Sequence, residues 1–133
     1  MARERVTNYR VYICGPIAGY EDLNRKAFQE AEDSIRERGL YPVSPHKTPP
    51  RSHVGPCPGA GRDYAHKDSA AHASYCYMRG DIAALVECDA IYVLNGWELS
   101  VGGRLELAIA TQCGLDVYFQ DHRTLPWGKA SDG

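Results

Sequence analysis

Two carboxylates carry the chemical interest of this chain. Glu106 follows a Gly-rich turn, Asn95-Gly-Trp-Glu-Leu-Ser-Val-Gly-Gly103, that leaves an apolar run, Ala90-Ile-Tyr-Val-Leu94. The turn feeds a helical pattern with Leu105, Ile109 and Gln112 at helical spacing. A carboxylate just beyond the C-terminal end of a buried strand stands where open α/β sheets bind ligands. Gly102 and Gly103 are poor helix formers, and two together at a helix start suggest close approach by another group. Asp81 lies in a second helical pattern, Met78-Arg-Gly-Asp-Ile-Ala-Ala-Leu85, where it borders the apolar face. A pair of carboxyl groups, one ionised and one protonated, is what acid-assisted cleavage of a glycosidic bond requires. The plainer alternatives are a solvated helix glutamate for Glu106 and an ion pair with Arg79 for Asp81. Asp89 opens a strand at the opposite edge and reads as a structural cap.

Further polar and aromatic groups cluster around the same turns. Ser100 precedes the helix of Glu106, where it either caps the helix or offers its hydroxyl to an anion at the positive end of the helix dipole. Trp97 sits in the turn, placed either to stack on a base or to pack beneath the loop. Gly15-Pro-Ile-Ala-Gly19 links a strand to a helix but has neither the dinucleotide fingerprint nor the Lys-Ser/Thr of a phosphate loop. It is an ordinary turn or a wall around a sugar or phosphate.

The elements that must position these groups alternate. The pattern predicts strands over Arg10–Cys14, Leu40–Ser44, Asp89–Leu94 and Leu115–Phe119. It predicts helices over about Leu23–Arg38, Ser74–Glu87 and Val101–Cys113, with Gly39 and Gly114 as terminators. Strand–helix alternation implies an α/β fold: a doubly wound, Rossmann-like or flavodoxin-like, mostly parallel sheet of about four or five strands flanked by helices. The turn after the first strand, the Pro45 region after the second and the turn before Glu106 then meet at one sheet edge.

Bulk properties bound the rest. With 133 residues, 44% of them hydrophobic, the chain reads as one domain, 1–133, able to bury a core. Residues 46–73 form a long Pro/Gly-rich loop and 120–133 a loose tail. The loop's His46, His53, His66 and His72, with Cys57 and Cys76, match no zinc spacing, so no metal is expected. A net charge of −2 gives no basic field for nucleic acid. No run is long and apolar enough for a membrane span, and the N-terminus lacks the apolar centre of a signal peptide. Five cysteines without a Cys-x-x-Cys pair suggest reduced thiols and a cytoplasmic setting. A redox role for Cys14 would need a resolving partner, and none is near in sequence.

Four segments together carry a family resemblance: Val11-Tyr-Ile-Cys-Gly-Pro-Ile-Ala-Gly19, Arg79-Gly-Asp-Ile-Ala-Ala-Leu85, Cys88-Asp-Ala-Ile-Tyr-Val-Leu94 and Ser100-Val-Gly-Gly-Arg-Leu-Glu106. In this order they resemble the nucleoside 2-deoxyribosyltransferase superfamily, and within it the small phage and bacterial proteins grouped as DUF4406. The resemblance runs from residue 9 to 119 except for the loop 46–73. It implies that Glu106 is the nucleophile at the anomeric carbon, that Asp81 helps the base leave, and that Tyr12 lies near the sugar. It places Gly15, Pro16, Ile17, Asn24, Trp97, Ser100 and Gly102 around the substrate. Ser100 matches a phosphate-contacting serine, where true nucleoside transferases carry an acidic residue; this favours a monophosphate substrate. Pro16 and Ala18 depart from the family pattern and weaken the expected phosphate site, with Arg104 or Arg25 as replacements for the lost charge. The implied partners are a small nucleotide or nucleoside and further copies of the chain, in a homodimer or larger homo-oligomer. No cofactor is implied. A non-catalytic nucleotide-binding or sensing module is the alternative on the same fold.

Overall fold

A computed structural model of the chain describes residues 9–17, 19–48 and 74–121. Ala18, most of the predicted loop and nearly all of the predicted tail lie outside the described residues. Four strands form one sheet: β1 (Arg10–Cys14), β2 (Tyr41–Val43), β3 (Ala90–Val93) and β4 (Asp116–Phe119). Three helices join them: α1 (Arg25–Glu37), α2 (Ser74–Leu85) and α3 (Val101–Gln112). All pairings are parallel, in the order β2-β1-β3-β4. The chain therefore winds one way from β1 to β2 and the other way from β1 to β3, which puts the topological switch point between the ends of β1 and β3.

Residue alternation along the strands divides the core. Val11, Ile13, Ala90, Leu94 and Tyr118 pack on one face against Phe28, Ala31 and Ile35 of α1. Tyr12, Cys14, Ile91 and Val93 point to the other face, against Leu85 of α2 and Ala110 of α3. Burial on both faces explains why β1 and β3 read as continuous apolar runs.

Helix ends follow their local chemistry. In both α1 and α3 a glycine of positive φ, Gly39 (+78°) and Gly114 (+81°), closes a Schellman motif. The amides of Leu40 and Leu115 reach back to the carbonyls of Ile35 and Ala110, and the next strand starts at once. At its other end α1 begins at Arg25 rather than Leu23. Asp22, Leu23 and Asn24 have φ of +50°, +54° and +59°, a left-handed run that cannot continue into a right-handed helix. In α3 the expected apolar position Leu105 faces solvent, and the buried positions are Gly103, Glu106 and Ala110. A polar residue thus stands on the core side of α3.

Candidate active site

Tyr12 lies in the middle of β1, paired with Val43 on one side and Ile91 on the other. Its fully buried ring points to the α2/α3 face, and its hydroxyl donates to Glu106 Oε2 at 3.0 Å. Two residues on, the buried Cys14 thiol donates to the Gly103 carbonyl at 3.3 Å. β1 thereby grips α3 at two points about one helical turn apart. Ser100 fixes where that helix begins, because its Oγ accepts from the Gly103 amide at 2.9 Å. This N-cap satisfies an amide in the first turn of the helix that buries Glu106.

Among the described residues, no cation pairs with the buried Glu106. Removal from water pushes its carboxyl up to about 7, against the pull of hydrogen bonds from Tyr12 and Cys14. Asp81 goes further, to about 8, first through burial and then through the charge of Glu106. Its Oδ1 is shut off from solvent with no hydrogen-bond partner among the described residues. Tyr12 feels both carboxylates, and burial with their charge holds its phenol well above the ordinary tyrosine range. Glu106 has donors that favour its ionised form, whereas Asp81 has an orphaned oxygen that favours the acid. Where the two compete for one proton, these contacts favour the ionised form at Glu106 and the acid form at Asp81.

The remaining predicted residues gather at the turns after β1 and β3. Gly15 lies against Leu94 so closely that a Cβ would come within 2.8 Å of the leucine Cβ. The Leu94 amide closes the switch point by donating to the Cys14 carbonyl at 2.8 Å. Asn24 Nδ2 donates to the Pro16 carbonyl at 2.9 Å, which ties the first turn to the left-handed run before α1. Ile17 packs toward the α1 face, and Trp97 packs on the opposite core with its ring 6.0 Å from that of Phe119. Gly102 faces the Met78 methyl, where a Cβ would approach to 3.1 Å, and Gly103 faces Ser100. The approach that the paired glycines signalled is thus made by the protein itself.

Ser100 uses an acceptor lone pair for its cap, so its O–H remains able to donate, and capping and anion binding do not compete. Arg104 is turned back onto the Glu98 carbonyl at 2.9 Å, and Arg25 pairs with Asp22 at 3.5 Å. Asp89 accepts from the Arg10 amide at 2.9 Å, the structural role its position suggested. A separate cleft of about 340 Å³ lies between α1 and the turn after β2, lined by Phe28, Glu32, His46 and Lys47 among others. Phe28 belongs to the core face opposite Tyr12, so this cleft is not the carboxylate site. Sequence reasoning missed the contacts of Cys14. The signal was its spacing of two from Tyr12, which places both on one strand face.

The sheet is doubly wound and parallel, Tyr12 and Glu106 meet on its α2/α3 face, and the charge of Glu106 reaches Asp81. Residues 9–119 match the model of DUF4406, a domain of unknown function, and the chain belongs to that family. Among solved structures, a 2-deoxyribosyltransferase from the psychrotolerant bacterium Bacillus psychrosaccharolyticus has a similar fold, with a TM-score of 0.55 and 15% identity. The match covers 83% of this chain and 70% of that one. No curated protein matches. Among the described residues, no helix is long and apolar enough to cross a membrane.

Proposed function

We propose that this chain cleaves the N-glycosidic bond of a 2′-deoxynucleoside 5′-monophosphate by double displacement. The observation that carries this reading is the buried Glu106 carboxyl, held by the Tyr12 hydroxyl at 3.0 Å, with Asp81, whose own carboxyl burial pushes up to about 8, acting in the same field. Glu106 attacks the anomeric carbon as Asp81 gives its proton to a ring nitrogen of the departing base. The C–N bond breaks, a glycosyl ester forms on Glu106, and the base leaves neutral. Asp81, now ionised, takes a proton from water or from a second base, which displaces Glu106. Two inversions give net retention. Tyr12 steadies the carboxylate before attack and after release.

The 5′-phosphate is assigned to the start of α3, where the Ser100 hydroxyl and the helix dipole favour negative charge. Pro16 contributes no backbone N–H there. A second copy of the chain completes the site in this proposal.

The test is base release from a panel of deoxynucleotides and deoxynucleosides, with and without an acceptor base. Glu106→Gln and Asp81→Asn each abolish release while ligand still raises the thermal midpoint. Release that survives both substitutions overturns the assignment. Ligand stabilisation of the unaltered protein without turnover identifies a binding module instead.

A further inference from the structure

The cleft between α1 and the turn after β2 has no part in the mechanism above, and its charges do not balance. It holds about 340 Å³, toward the small end of cavities that take ligands. Arg25, Lys26 and Lys47 line it, against the carboxylates of Asp22 and Glu32. Both acids are already engaged. Arg25 pairs with Asp22 at 3.5 Å, and Glu32 accepts from Lys47 at 2.8 Å and from Arg36 at 3.4 Å. Lys26 pairs with no carboxylate among the described residues. Counted with Arg36, the cluster sets four cations against two carboxylates, in a chain whose net charge is −2. Like charges gathered in one place repel, and an anion between them relieves that repulsion.

The cleft also has an aromatic wall. The His46 ring stands edge-on to Phe28, with centroids 4.7 Å apart and planes at 77°. Burial and then the charge of Arg25 hold the His46 imidazole below its ordinary value, against weaker pulls from Glu32 and Asp22. His46 is therefore neutral at pH 7 and serves as wall rather than charge.

We propose that this cleft is a second ligand site, which takes a compact anion with two or more negative charges on linked phosphoryl groups, either free or as the end of a nucleotide. Lysines meet such groups as point charges. The Lys47 ammonium has three donors, so it keeps Glu32 and still turns one toward the ligand. Lys26 has no carboxylate to give up. An anion of one charge would offset half the local excess, whereas a diphosphate offsets all of it. Phe28 belongs to the core face opposite Tyr12, so the site stands apart from Glu106 and does not rest on the proposed reaction.

The test is a titration of the full chain with pyrophosphate at constant ionic strength. The His46 ring protons are followed by NMR and assigned by difference against His46→Gln. They shift saturably, and the His46 titration moves to higher pH, because the bound anion offsets the charge of Arg25. Lys26→Ala weakens binding about tenfold and Lys26→Arg restores most of it. Glu106→Gln binds pyrophosphate as the unaltered protein does, whether or not any base is released. A deoxynucleoside diphosphate that binds more tightly than pyrophosphate at the same His46 signal identifies the nucleotide end as the ligand; one that binds no more tightly identifies the free anion. No saturable shift at millimolar pyrophosphate overturns the proposal. So does a shift that Lys26→Ala leaves unchanged, or one that Glu106→Gln removes.

Discussion

Among the described residues, two glutamates are buried in helices on opposite sides of one sheet, and they are treated in opposite ways. Glu32 of α1 is 3% exposed and meets two cations, Lys47 at 2.8 Å and Arg36 at 3.4 Å. Glu106 of α3 is 5% exposed and, among the described residues, pairs with no cation but with the neutral Tyr12 hydroxyl, with another acid acting on it. Burial alone therefore does not mark a reactive group. A buried carboxylate with cations is a joint, here fastening the chain after β2 to α1. One without cations retains a free energy cost of ionisation that chemistry can use.

The sharpest way to break this contrast is to neutralise each glutamate and compare the readouts. Glu106→Gln lowers base release by about a thousandfold or more, measured by single-turnover chromatography, and does not weaken the fold in urea unfolding at neutral pH. Glu32→Gln does the reverse. It leaves two cations without their acceptor and costs about 1–2 kcal/mol in urea unfolding. The figure stays modest because the Lys47 and Arg36 side chains are themselves 58% and 55% exposed.

The pH dependence of stability sharpens the same contrast. Glu106 and Asp81 are raised on folding, from 4.5 to about 7 and from 3.8 to about 8. Below the lower values both folded and unfolded chains hold these protons. Between those values and about 7 to 8 the folded chain holds more protons, so stability falls as pH climbs through that window. The thermal midpoint of Glu106→Gln therefore gains on that of the unaltered protein between mildly acidic and mildly alkaline buffer. An unchanging gap would remove the electrostatic distinction between the two glutamates. The smallest effect belongs to Ser100→Ala, which costs about 1 kcal/mol through the lost cap. If the hydroxyl also meets phosphate, the substitution raises KM for the monophosphate more than for the nucleoside.

Much of the fold was legible because its signals are local. Apolar runs gave the strands, and Gly39 and Gly114 marked helix ends that the Schellman geometry bears out. The start of α1 was not legible, because nothing in Asp22-Leu23-Asn24 announces three left-handed residues whose conformation is tied to Pro16. In α3 the spacing of Leu105, Ile109 and Gln112 was only partly informative: Ile109 packs on the core, Leu105 faces solvent, and the position that goes inward at Glu106 is polar. The carboxyl pair was legible as two suspects and no more. Periodicity assigns a residue to a face, but convergence across a sheet depends on strand order, and the order β2-β1-β3-β4 cannot be read from spacing. Glu32 went unnoticed for the same reason, its cation Lys47 being on another element.

Tyr12 is held in the interior of a central strand by ladders on both sides. A side chain on such a rail has little freedom to drift, so the donor that steadies Glu106 is fixed as firmly as the sheet. The adaptable ground lies in the turns that carry Pro16, Ile17 and Trp97, where sequence can vary without disturbing the ladders. Substitution in those turns therefore leaves the Tyr12–Glu106 contact in place.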